Sequence, residues 1–139
     1  MLNERDISPA LAVARKMYTA LSEVLEATAD LSDALRRQDQ VSFQLYLSMR
    51  QDSLNQLQDC RALLQKQCAG LPQAEGQALR EILSGTEAAP AAPGAEKLAE
   101  QARRNRALWE RAVQADQAIN RRLGGGKSYY AQQSFGKNL

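Results

Sequence analysis

Histidine is missing from all 139 residues. His-based general acid and base catalysis, Ser-His-Asp hydrolysis and His-ligated zinc are thereby excluded. Only two cysteines occur, Cys60 and Cys68. A pair cannot build a zinc site, and along one continuous helix the two would sit ~12 Å apart, beyond disulfide reach. They read as reduced, small, semi-buried side chains of a cytosolic protein. No run of ~18 apolar residues exists and none follows the charged start Met1 to Asp6, which argues against a membrane span and a signal peptide. Charge of one sign is also scarce: 18 Lys+Arg stand against 16 Asp+Glu, so composition gives little reason to make nucleic acid the main partner. Gly124-Gly125-Gly126-Lys127-Ser128 is no phosphate loop, because position 121 is arginine where such a loop needs glycine, and the run follows a helix instead of a strand. With no cofactor motif, no metal-ligand set and no catalytic pair, the chain reads as a non-enzyme.

What the sequence does have is helix-forming residues. Ala, Leu, Gln, Arg and Glu dominate, and β-branched residues never alternate over a strand-length run, so the expected class is all-α. The length fits one domain. Ser8-Pro9 offers a hydroxyl cap followed by a proline whose missing N–H costs nothing at a helix start. From there Ala10, Ala14, Met17, Leu21, Val24, Thr28, Leu31 and Leu35 recur at spacings of four and three, a heptad stripe that Leu11, Tyr18 and Leu25 widen on one side. A helix over about 9–38 follows. A second, over about 39–68 and capped by Asp39, carries Phe43, Leu47, Leu54, Leu57, Leu64 and Cys68 on its apolar face with Tyr46 beside them. Arg50 interrupts that stripe and reads as an arginine snorkelling to the edge, with a specificity-setting polar contact as the alternative. Gly70-Leu71-Pro72 ends the helix, glycine being suited to a left-handed cap.

A short amphipathic helix is expected over 74–84, then an Ala/Pro linker over 86–94, then a third long helix over 95–123. Together these elements predict a long antiparallel hairpin plus a third long helix, a three-helix bundle of coiled-coil character with a flexible C-terminal tail over 124–139. The third helix is thinly endowed: alanine or asparagine fills four of its nine stripe positions, and alanine buries little area. It either completes an ordinary bundle with Trp109 filling the gap, or exchanges between self-packing and capture of another protein's amphipathic helix. Asn105 on its apolar side lies at the solvent boundary or sets register. Residues 95 to 139 also hold a net charge of +5 while the rest of the chain sums to −3. This arginine-rich face reads first as a solvated helix surface. Tyr129 and Tyr130 follow the triglycine, either as a recognition segment or as a tail folding back over the bundle.

Three places in this layout resemble the FlgN-type flagellar export chaperones, small helical proteins of the flagellar type III secretion system. One is Leu35-Arg36-Arg37-Gln38-Asp39 with Phe43 and Leu47 following, similar to that family's break between its first two long helices. Another is Asn105-Arg106-Ala107-Leu108-Trp109 in a late helix. The third is the glycine-rich turn with tyrosine after it and Phe135-Gly136 near the end. The resemblance implies a cytoplasmic chaperone that binds the C-terminal amphipathic helix of hook-filament junction proteins, keeps them from assembling early and delivers them to the export gate protein FlhA. It places client binding on the C-terminal part of the chain, where Leu108, Ala112, Ala115, Ile119 and Leu123 are the candidates, and gate docking on Tyr129 or Tyr130. A filament-cap or filament-subunit client fits equally. The heptads alone also suit a self-associating coiled-coil scaffold, and a homodimer is open in either case.

Overall fold

A computed structural model describes residues 1–85 and 92–123, and among these the regular structure is helix throughout. Four helices follow in order: α1 (Glu4–Arg36), α2 (Gln40–Ala69), α3 (Gln73–Leu83) and α4 (Ala95–Arg122). The all-α class is as expected. The bounds of α2, α3 and α4 agree with the sequence pattern to within a residue or so; α1 does not. It starts five residues before Pro9, because Asn3 and Asp6 form a reciprocal cap: Asn3 Oδ1 accepts from the Asp6 amide at 3.1 Å and Asp6 Oδ2 accepts from the Asn3 amide at 3.2 Å. Pro9 therefore sits inside the helix, where it removes the bond that would reach the Arg5 carbonyl. Burial of Leu2 and Ile7 in the core holds the extra turn in place.

α1 is the shared middle helix, packing along α2 on one side and α4 on the other. Its buried stripe is broad, with Ile7, Met17, Leu21 and Val24 at the centre. The widening lies opposite to expectation: Val13, Ala20, Ala27 and Ala34, seven residues apart, are buried, whereas Leu11 and Leu25 are half-buried and Tyr18 is exposed. Between α1 and α2 the backbone turns at Gln38, which holds a φ of 57°. Asp39 then caps α2, accepting from the Ser42 amide at 3.1 Å and the Ser42 hydroxyl at 2.7 Å.

α2 runs antiparallel to both neighbours and α4 runs parallel to α1. Ser53 of α2 donates to Glu23 of α1, while Asn105 of α4 donates to the Ala14 carbonyl and Arg122 of α4 to Ser32, far along α1. α3 closes the end where α2 stops and α4 begins, burying Leu79, Ile82 and Leu83. Two glycines allow this. A Cβ at Gly76 would stand 2.6 Å from the Cys68 carbonyl oxygen, and one at Gly85, where φ is 73°, would stand 2.9 Å from that of Ala102. Gly70, by contrast, ends α2 at a right-handed φ of −79°, so the left-handed freedom expected of it goes unused. The opposite end of the bundle, where α1 and α4 finish and α2 starts, has no such closure among the described residues.

α4 is seated along α1 for its whole length: Leu98, Leu108, Trp109 and Ile119 are buried together with Ala95, Ala99, Ala102 and Ala112. Its small side chains serve close approach between the two helices. Asn105 is buried, not at the boundary, with its amide nitrogen 2.9 Å from the Ala14 carbonyl oxygen and its oxygen 3.0 Å from the Gln101 amide nitrogen. Arg50 does not snorkel either. It lies between the helices, giving one bond to Thr28 of α1 at 3.2 Å and an ion pair to Asp116 of α4 at 2.5 Å. Higher up α2, Arg61 is buried with its guanidinium 5.8 Å from the Trp109 ring centroid. Two arginines thus bridge α2 to α4 where apolar side chains would ordinarily meet. Cys60 and Cys68 are both free, half-buried and buried respectively, and burial raises both thiols above their ordinary pKa. Residues 86–91 of the expected linker lie outside the described residues; its end, Ala92, packs against the core.

Candidate functional site

Two parallel helices leave a trough along each side of their line of contact. α2 fills one side of the α1–α4 pair, and the other is open. Near the unclosed end this open trough has a volume of about 600 Å³. Its floor is apolar, made by Leu25 and Ala29 from α1 and by Ala115, Ala118 and Ile119 from α4. Heptad geometry accounts for the floor: Leu11, Tyr18 and Leu25 form one row on the flank of α1, and the α4 positions that face it repeat with the same period because the helices run parallel. A smaller cleft farther down, lined by Leu11, Arg15, Lys97 and Arg104 among others, continues the same line.

The α4 rim of the trough is basic. Lys97, Arg104 and Arg111 stand seven residues apart on it, and Arg122 follows; all four are exposed. Arg104 pairs with Glu100 one turn away at 2.9 Å, and Arg122 donates to the Ser32 hydroxyl at 2.7 Å. Glu26 on α1 faces them across the gap. Such a surface can hold an apolar helical stripe and orient it by charge. Among the described residues no group of three side chains that could hold a metal ion is assembled, and the buried Arg50–Asp116 ion pair joins α2 to α4.

The expected client-binding residues divide. Ala115 is half-buried and lines the trough, and Ile119, though buried, forms part of its floor. Leu108 and Ala112 are buried inside the bundle and face no open surface. Leu123 is 53% exposed and lines a different groove of about 580 Å³ at the unclosed end, with Ala34, Leu35 and Phe43. Tyr129 and Tyr130 lie outside the described residues. Leu25, Ala29, Ala118, Arg111 and Arg122 escape the sequence reading as site residues. Their signal is present, the row of Leu11, Tyr18 and Leu25, but it reads as core until the opposite widening of α1 is seen.

A further apolar surface lies on the outside of α2. Val41, Leu45 and Met49 are 83%, 57% and 47% exposed, opposite the face that carries Phe43 and Arg50. No charged residue occurs between Asp39 and Arg50, so the first turns of α2 are apolar on both faces.

No family model matches the chain, and comparison with curated proteins and with solved structures finds no match. Among the described residues no helix is long and apolar enough to cross a membrane.

Proposed function

We propose that this protein is a cytoplasmic export chaperone that holds an amphipathic helix of a client in the open α1–α4 trough. The observation that carries the reading is the trough itself, with an apolar floor, helical length and no segment among the described residues to fill it. The resemblance to FlgN-type chaperones extends the reading to the C-terminal helices of hook-filament junction proteins and to delivery at FlhA through Tyr129 or Tyr130. A filament-cap or filament-subunit client would present the same kind of helix. Because α4 is already packed against α1, capture adds a helix to the bundle and does not displace one. A floor built largely of alanine buries modest area, which sets affinity nearer ~µM than ~pM and suits a chaperone that must let go.

Ala118 is exposed at the trough, so Ala118→Glu tests the reading without burying a charge. Fluorescence anisotropy with a labelled junction-protein C-terminal peptide is expected to show at least a tenfold loss of affinity with helical content unchanged. Undiminished binding overturns the trough as the client site. Replacing both tail tyrosines with alanine should leave that binding intact and lower export.

The apolar outer face of α2 favours a second reading, a self-associating coiled-coil scaffold. Light scattering of the pure protein with and without excess peptide separates the two, since a stable oligomer indifferent to the peptide supports the scaffold.

A further inference from the structure

The trough is chemically lopsided, and the asymmetry bears on what kind of helix fits it. At the large opening both exposed charges on the α4 rim are basic, Arg111 and Arg122, while in the cleft below Lys97 and Arg104 are joined by Glu100, which pairs with Arg104. Arg111 forms no ion pair among the described residues, and Arg122 gives only a bond to a neutral hydroxyl. Three turns of helix separate these two arginines, about 16 Å at 1.5 Å per residue. They are far enough apart to escape each other's repulsion at physiological salt and close enough for one bound helix to meet both. On the α1 side, Glu26 lines the same opening, and Arg15 lines the cleft below.

Resting on the trough reading above, we propose that the client helix carries an acidic flank: Asp or Glu about three turns apart along one edge of its apolar stripe, set against Arg111 and Arg122. An apolar stripe alone would enter the trough in either direction and at several registers. Charges along one rim remove that freedom, because only one direction of the bound helix puts its acidic edge beside α4 and its other edge beside Glu26. Charge complementarity of this kind adds selectivity and speed of encounter more than total affinity. A polyphosphate chain is a poorer fit for the same arginines, since the floor between them is apolar, Glu26 lines the opposite side of the opening and Glu100 interrupts the basic row below.

The test uses the full-length chain and three synthetic helical peptides with one shared apolar stripe, whose edge positions eleven residues apart are both Glu, both Gln or both Lys. Anisotropy at low salt is expected to rank them Glu, then Gln, then Lys, with about tenfold between the extremes, since two exposed pairs change from repulsion to attraction. Arg111→Glu combined with Arg122→Glu should reverse the ranking, and ~0.5 M salt should flatten it. Equal affinities for the Glu and Lys peptides overturn the acidic-flank inference and leave the trough reading standing. Failure of all three to bind overturns both. Two further results also count against the inference: tight binding of a single-stranded RNA that displaces the Glu peptide, or a dimer of the pure protein that Ala118→Glu converts to monomer, which would make a second copy the occupant.

Discussion

Arg50 and Asp116, charged letters in the sequence, form the most buried ion pair among the described residues. Each interrupts an apolar stripe, and the two meet between α2 and α4 with Thr28 as a third partner. Asp116→Ala takes the carboxylate away from a largely buried guanidinium, so it is expected to destabilise the bundle by about 3 kcal/mol in urea unfolding. Replacing both, Arg50→Met with Asp116→Leu, should come out near neutral or better, because a packed apolar pair avoids the desolvation that the ion pair incurs. Asn105 belongs to the same class. Neither it nor Arg50 was legible in one dimension, since a polar residue on an apolar stripe looks the same whether it faces water or a partner helix. Only the register of α4 against α1 and α2 supplies the partner. Asp39 is different, because its role is local and its cap was readable directly. The Ser42 hydroxyl, and then the Ser42 amide, hold its carboxyl below the ordinary carboxylate range. The arginines beside Asp33, Arg36 before Arg37, shift that group the same way. A depressed folded pKa means these contacts stabilise the fold above the unfolded value of about 4 and are lost as pH falls through the lower folded one. Asp39→Asn keeps a capping oxygen and loses the titration, so its thermal midpoint should match the parent at pH 7 and fall less steeply below pH 4.

Among the elements, those with local punctuation were readable and those defined by their neighbours were not. α2, α3 and α4 end where Gly, Pro or a cap says they should. α1 begins early because the Asn3–Asp6 box outcompetes the Ser8-Pro9 signal, and only burial of Leu2 and Ile7 tips the balance. The trough was half legible. Its α4 floor appears in Ala115 and Ile119, but its α1 wall was assigned to the core, because periodicity gives the width of an apolar stripe and not which edge stays bare. The crossing of α3 onto α4 makes a sharp prediction at this scale. Gly85 combines a left-handed φ with a backbone oxygen in the way of any Cβ, so Gly85→Ala should cost about 1–3 kcal/mol. Gly70→Ala, at a right-handed φ and with its nearest neighbour at 3.4 Å, should cost little or stabilise slightly. Paired thermal melts of the two variants check both statements.

At the scale of the whole bundle, the described residues close one end and leave the other open. α3 seals the first with Leu79, Ile82 and Leu83; the second leaves Val41, Leu45 and Leu123 in water. If that unfinished end mediates self-association, Leu45→Glu should turn a concentration-dependent mass in light scattering into a constant monomer mass. If client capture is its only task, the mass is monomeric in both.

The same polarity fixes how the bundle answers to force. Handles at residues 38 and 123 both lie at the unsealed end, so tension between them strips α4 from its neighbours turn by turn, as a zip opens. Handles at residues 7 and 123 sit at opposite ends of a parallel pair, so tension between those loads every turn of the α1–α4 seam together, in shear. Tension applied between residues 38 and 123 is therefore expected to open the bundle at a lower load than tension between residues 7 and 123, beginning at Arg122.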